Sequence, residues 1–357
     1  MTEQTTTFPL DVNDLHDTDQ ELVECDGLPS VQHHFEAPQL HAINAAIAAG
    51  RPLLIRGEPG TGKSQLARAA AVLLNRRFRR KTVDAHTEVT DLFYTFDAVA
   101  RLAYAQIIGA LARVGGCDEK GKPTTKTRTV KSLLEELAER HFVRPGPLWW
   151  AYDEVSAREQ EEYYRERCGA EADPAKEKTD DRRGWVVLLD EIDKADPSVP
   201  NGLLEALGQG TFDAPGGRSI SLLKGAEPPL VVITTNEERE LPAAFVRRCM
   251  VLKIALPKVD TKLRTWLIRR GRTHFGSGID ALLEEAARLL IADRKVAHGL
   301  GLPMPGQAEF LDLVRAVTRL SKDSKERENI LHQIANLALK KHPDHPDRPG
   351  TSGGSSR

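Results

Sequence analysis

The sequence predicts an α/β protein: a parallel sheet flanked by helices, followed by a C-terminal helical lid. Three observations predict it. Gly57-Glu58-Pro59-Gly60-Thr61-Gly62-Lys63-Ser64 fits the pattern G-x-x-x-x-G-K-[ST] and lies between an apolar run and a helical one. Two later apolar runs end in polar side chains, Asp190-Glu191 and Asn236, as buried parallel strands do at the sheet edge where ligands bind. Four segments between Val259 and Lys340 then repeat Leu, Ile, Val and Ala at helical spacing.

The glycine-rich motif follows a strand, Leu53-Leu54-Ile55, and precedes a helix, Gln65 to Leu74, with Leu66, Ala69, Ala70, Leu73 and Leu74 on one face. The loop between them is built for a polyanion. Gly57, Gly60 and Gly62 let the backbone approach it and turn amides inward, and the helix opening at Lys63 points its positive end the same way. Lys63 is expected to reach the β and γ phosphates and Ser64 to bind Mg²⁺. Residues 57–65, with Glu58, Pro59, Thr61 and Gln65 among them, form the expected nucleotide-binding set.

Composition fits an ordinary water-soluble chain. Its 357 residues are 40% hydrophobic, enough for a sizeable core, and 50 basic against 52 acidic residues leave a net charge of −2. No global field draws it to nucleic acid or to an acidic membrane surface. The four cysteines, Cys25, Cys117, Cys168 and Cys249, lie far apart and form no C-x-x-C pair, which predicts free thiols rather than zinc or disulfides. No apolar run is long enough to span a membrane and no leader pattern opens the chain, so the expected location is cytoplasmic.

In chain order, residues 1–27 read as an acidic arm without Lys or Arg, disordered or loosely docked. Glu36 to Ala49 reads as a helix closed by Gly50. The basic cluster Arg76 to Lys81 reads as a solvated helix end and strand approach, with nucleic-acid contact the lesser alternative. Asp91 to Gln106 is expected to be an amphipathic helix, whole or interrupted by a loop, and Lys131 to His141 a short one. Insertions are expected near residues 113–184. Gly208 to Leu223 carries a turn signal between β-prone runs and reads as a hairpin over 209–223. Residues 342–357 read as a disordered tail, and His342 and His345 are not expected to hold metal.

The carboxylates after the second strand complete the chemistry. In-line phosphoryl transfer needs Mg²⁺ held and a water polarised at one place, tasks assigned to Asp190 and Glu191 respectively. Asn236 at the end of Leu230 to Thr235 is placed to stand beside that water. Arg247 and Arg248 follow, and a guanidinium there stabilises charge on the phosphoryl oxygens, an effect of about 10³ to 10⁵ in rate. Asp193 and Lys194 are read as structural or interfacial.

Taken together, these residues resemble an AAA+ ATPase of the MoxR group. Gly57 to Ser64 is similar to Walker A, Val187 to Asp193 to Walker B, Asn236 to sensor 1, and Leu241 to Arg248 to the finger segment; Arg144 to Trp150 and Leu203 to Leu207 are supporting matches. The resemblance implies a P-loop NTPase core, ATP and Mg²⁺ as cofactors, and a nucleotide held between subunits of a ring, commonly a hexamer. It also implies Arg248, or in its place Arg247, as the finger reaching a neighbour, and a chaperone-like role on a protein partner, often one with a von Willebrand A domain. Two departures stand out: Leu302 to Glu309 lacks the sensor 2 arginine of the group's lid, and the distance from Walker A to Walker B is long.

The expected division is therefore an arm over 1–27, an AAA+ core over 28–256, a lid over 257–341 and a tail. The competing functions are a nucleic-acid motor or loader, which the balanced charge disfavours, and a nucleotide-gated scaffold with little turnover, which the intact Asp190, Glu191, Asn236 and Arg248 disfavour.

Overall fold

The computed structural model describes residues 9–24, 28, 30–113, 130–169, 182, 184–340 and 342. Asp11 opens the first helix, α1 (Val12–Leu15), by accepting from the backbone amides of Asn13 and Asp14. Strand β1 (Asp19–Leu22) pairs antiparallel with β2 (Val31–His34). This corrects the expectation of a disordered arm wherever residues 1–27 are described. Leu10 and Leu22 are buried in one cluster with Phe35 and Leu40, and two of the acidic side chains have partners: Asp17 pairs with Arg269 at 2.9 Å and Asp19 Oδ1 hydrogen-bonds with His34 Nδ1 at 2.6 Å. Residues 1–8 and 343–357 lie outside the described residues.

Helix α2 (Ala37–Ala49) has Pro38 in its first turn and stops at Gly50, whose φ of 60° is left-handed. Strand β3 (Leu53–Arg56), helix α3 (Lys63–Leu73) and strand β4 (Arg77–Thr82) follow. Thus the basic cluster is a strand. Arg79 stacks on the Trp150 ring at 4.5 Å and Arg77 on Trp185 at 5.4 Å, so aromatic faces carry the cations and an edge strand accommodates them.

The helix expected over Asp91 to Gln106 holds from Ala98 and is corrected at its start. Its start is a turn, Val89–Leu92, and then β5 (Tyr94–Phe96). Helices α4 (Ala98–Arg113) and α5 (Val130–Glu136) come next, and β6 (Val143–Pro145) returns to pair antiparallel with β5. The helix expected over Lys131 to His141 ends at Glu136 and is succeeded by a separate turn, Glu139–Phe142. Helices α6 (Pro147–Tyr152) and α7 (Glu154–Cys168) pack this excursion onto the sheet through Leu148, Trp149 and Trp150, all buried.

Strand β7 (Trp185–Asp190) is buried at all six positions. Helix α8 (Ser198–Gln209), a hairpin of β8 (Thr211–Ala214) and β9 (Arg218–Ser221), and strand β10 (Leu230–Thr235) precede α9 (Ala243–Arg247) and β11 (Met250–Lys253). The central sheet runs β11-β3-β10-β7-β4, parallel throughout.

The period of two along these strands divides the core. Leu54, Val187, Leu189, Val231 and Ile233 face α6 and α8, while Leu53, Ile55, Val186, Leu188 and Val232 face α2 and α3. Both faces are covered, so the strands read as continuous apolar runs.

Helices α10 (Asp260–Phe275), α11 (Asp280–Gly299), α12 (Gln307–Leu320) and α13 (Ser324–Leu339) form a bundle around Leu267, Leu283, Leu290, Phe310 and Val314. Polar contacts join it to the first hairpin. Trp266 Nε1 donates to Glu36 at 2.8 Å, and Arg270 donates to Glu36 at 2.9 Å and to the His34 carbonyl at 2.7 Å. Among the described residues no helix is long and apolar enough to cross a membrane. Cys168 and Cys249 are free thiols; Cys25 and Cys117 lie outside the described residues.

Candidate nucleotide site

The carboxyl ends of β3, β7 and β10 meet at one cavity. The turn after β3 approaches β11 so closely that a Cβ on Gly57 would fall 2.1 Å from the Ile254 carbonyl oxygen, which is why that position has no side chain. The loop then delivers Lys63 and Ser64 to the first turn of α3.

Lys63 is buried, at 6% exposure. Its ammonium donates to the carbonyls of Gly57 and Glu58, each at 2.8 Å, and to Asn236 Oδ1 at 2.7 Å. Three donors thus meet three oxygens. Burial pushes the Lys63 pKa down, opposed by the carboxylates of Asp190, Asp193 and Glu191.

Ser64 Oγ donates to Asp190 Oδ1 at 2.7 Å, and Thr234 Oγ1 donates to the same oxygen at 2.6 Å. Arg80 pairs with Asp190 Oδ2 at 3.2 Å. A hydroxyl and a carboxylate in contact form an all-oxygen donor pair, which suits Mg²⁺, a hard cation that keeps several of its own waters. Among the described residues no group of three or more His, Cys, Asp or Glu side chains stands close enough to hold a metal by protein ligands alone.

Glu191 sits where the chain leaves β7, at φ 64°, a left-handed conformation uncommon outside glycine and frequent at functional sites. Its amide donates to Thr234 Oγ1 at 2.9 Å, and its carboxylate accepts from Asn236 Nδ2 at 3.3 Å and Lys194 Nζ at 2.7 Å. The Lys194 pKa is raised by that hydrogen bond and charge. Asp193 accepts from the amides of Asn236 at 3.4 Å and Glu238 at 3.0 Å, fixing the end of β10.

The cavity, of about 350 Å³, is lined by Pro59, Gly60, Gly62 to Gln65, Asp190, Glu191, Thr234 and Asn236 from the core. From α12 come Gln307, Ala308, Leu311, Asp312 and Arg315. Of the residues expected from sequence, these core groups come together in one chain. Arg247 and Arg248 do not join them: both are exposed at the end of α9 and neither lines the cavity.

The sequence does not single out Thr234, Arg80, Gln307 or Arg315. Thr234 was legible in principle, because Ile233 pairs with Leu189 and the next residues, Thr234 and Asp190, must then be neighbours. Arg80 was hidden in a run of like cations. Gln307 and Arg315 belong to a helix whose period gives a buried face but not its neighbour.

Residues 52–249, more than half of the chain, match the family model described as AAA domain (dynein-related subfamily). The chain belongs to this AAA family. Its P-loop sheet and C-terminal helical region have the AAA+ architecture, and family membership brings nucleotide binding, typically with Mg²⁺. Two solved structures are similar to this AAA chain. One is a candidate ATPase from Cytophaga hutchinsonii, at 16% identity, TM-score 0.34, covering 84% of this chain and 79% of the other. The second is a P216G mutant of RuvB from Thermotoga maritima, at 15% identity, TM-score 0.39, covering 84% and 69%. No curated protein matches the chain.

Proposed function

We propose that the chain is a MoxR-like AAA+ ATPase that hydrolyses ATP in an oligomeric ring, commonly a hexamer, and uses the turnover to remodel or activate a protein partner. The observation that carries the ATPase reading is the chain of contacts Lys63–Asn236–Glu191, which sets a cation, an amide and a carboxylate in sequence along one cavity wall.

In this reading the residues divide the work. The loop from Gly57 to Gly62 and the amides opening α3 cradle the phosphates, with Gln65 on the helix behind them, and Lys63 transfers its donors from its own loop carbonyls to phosphate oxygens. Ser64 and Asp190 would hold Mg²⁺, which would supply neutralisation of the charge that develops on the phosphoryl oxygens. Glu191 takes the proton of the attacking water, and Asn236 orients that water while holding the carboxylate. The exposed pair Arg247 and Arg248 is free to reach a neighbouring subunit, with Arg248 the finger and Arg247 its alternative.

The basic strand gives nucleic acid little to hold, since Arg77 and Arg79 stack on tryptophans and Arg80 faces Asp190. A protein partner, such as one with a von Willebrand A domain, fits the resemblance better, and a cytoplasmic location goes with it. Capture from native lysate on Glu191→Gln with ATP and Mg²⁺ tests this, with Lys63→Ala as the control. Retention of a discrete protein by the first alone is the expected result; retention of nuclease-sensitive nucleic acid would replace the remodelling reading by a motor or loader.

A further inference from the structure

Three consecutive residues of the phosphate loop touch the lid. Glu58 Oε2 accepts from both terminal nitrogens of Arg294, at 3.3 and 3.4 Å. A Cβ on Gly306 would stand 3.6 Å from the Pro59 carbonyl oxygen, and one on Gly60 would fall 2.5 Å from Ala308 Cβ. No side chain of any size fits between Gly60 and the lid.

Arg294 is the organising residue of this contact. It arises from α11, and besides Glu58 it donates to the Pro305 carbonyl at 2.6 Å, just ahead of α12. One guanidinium therefore ties two lid helices to the loop. Its side chain is 12% exposed whereas Glu58 is 43% exposed, so the arginine is fixed by its surroundings and the carboxylate comes to it.

The electrostatics give the contact a consequence. Glu58 places a negative charge in a loop whose amides serve a polyphosphate, and at this range an unpaired carboxylate opposes that ligand. Arg294 offsets it only while the lid is down. In that position α12 walls the cavity opposite Lys63 and Ser64, so a bound nucleotide leaves when the lid lifts and the Glu58–Arg294 pair parts.

We propose that Arg294 is a positioning residue which, acting through Glu58, holds the lid closed over the nucleotide and sets its rate of release. The proposal rests on reading the cavity as a nucleotide site.

The test is the release rate of a fluorescent (mant) ADP from the full chain with Mg²⁺, chased by excess ADP. Arg294→Gln is expected to release it about five- to tenfold faster, the scale of one charge-assisted hydrogen-bonded pair discounted for its exposed partner. Glu58→Gln accelerates release less, since it removes the repulsion along with the clamp. The double variant is no faster than Arg294→Gln, because the two residues act through one contact. Arg294→Lys, which keeps charge without the fork, falls between.

Unchanged release in Arg294→Gln and Glu58→Gln, or additive effects in the double variant, would overturn the clamp. If Arg294→Gln does not fold, Glu58→Gln alone decides, and it must accelerate release. A parent chain that does not retain the fluorescent ADP, and behaves like Lys63→Ala, removes the nucleotide reading itself.

Discussion

Lys63 and Asn236 lie 173 positions apart in the chain and share a 2.7 Å hydrogen bond, ammonium to amide oxygen. Because an ammonium only donates, Asn236 must turn Oδ1 toward Lys63, and Nδ2 then faces the Glu191 carboxylate at 3.3 Å. The amide thus answers a cation on one side and an anion on the other.

A group with both functions resists replacement. Asn236→Asp keeps the acceptor for Lys63 but sets a carboxylate against Glu191. Hydrolysis is expected to fall about 10²-fold, the usual scale for a lost positioning contact at the reacting centre, with nucleotide affinity changed only a few-fold. Asn236→Ala behaves similarly. Steady-state phosphate release and fluorescent-nucleotide titration measure the two quantities separately; equal losses in both would mean that Asn236 holds the loop and not the water.

Gly60→Ala tests the seating of the lid. The new methyl group meets Ala308 Cβ at 2.5 Å on a backbone already at φ 73°. Overpacking and a left-handed alanine together cost about 2 to 4 kcal/mol. Ala308→Gly relieves the first term but not the second. Urea midpoints for the two single variants and the double variant give the split; a Gly60→Ala chain as stable as the parent would mean the lid does not sit on the loop.

One buried imidazole, His33, and one half-buried one, His274, make stability depend on pH. Burial foremost, assisted by Arg270, brings the His33 pKa to about 3, and burial with Arg315 and Arg270 brings His274 to about 4. Both native values lie below the ordinary 6.5, so between that value and about 4 the unfolded chain binds protons that the native chain does not. Stability should fall as pH falls through that window, by at most about 1.4 kcal/mol per pH unit for each histidine. The urea midpoint should drop from about pH 7 to about pH 5, and His33→Gln should flatten part of the slope. A midpoint independent of pH in the parent would contradict the assignment.

Arg248 offers a complementation test. Arg248→Ala and Glu191→Gln should each be nearly inactive, the former by about 10³ or more. Mixed, they should recover part of the activity, because a subunit with intact Glu191 then meets a neighbour with an intact arginine. Continued inactivity of the mixture, with both chains assembled, would mean that the arginine serves its own subunit or none.

Parts of this architecture were legible for a physical reason. β7 and β10 are covered on both faces, so their sequences are unbroken apolar runs that stop at Asp190 and at Asn236, where the sheet ends. The loop between β3 and α3 is legible because its glycines answer to backbone geometry and not to neighbours. β4 was not, since an edge strand bearing Arg77, Arg79 and Arg80 has its cations matched by tryptophans and by Asp190 from distant segments. The β5–β6 pair was hidden because two three-residue strands carry no period, and only their meeting identifies them. The acidic start was misread as loose because charge alone was visible, while Leu10, Leu22 and the partners Arg269 and His34 decide its placement. Arg294 was beyond reach for the same reason: helical period locates a face of α11, and only the docked lid shows that it meets Glu58.

The most direct test of the central claim is phosphate release from ATP by the parent chain with Mg²⁺, set beside Glu191→Gln, with ATP binding measured for both. Turnover in the parent, and its near-complete loss in Glu191→Gln while binding is retained, is the expected result. A parent that binds ATP without turnover, or a Glu191→Gln chain as active as the parent, would contradict it.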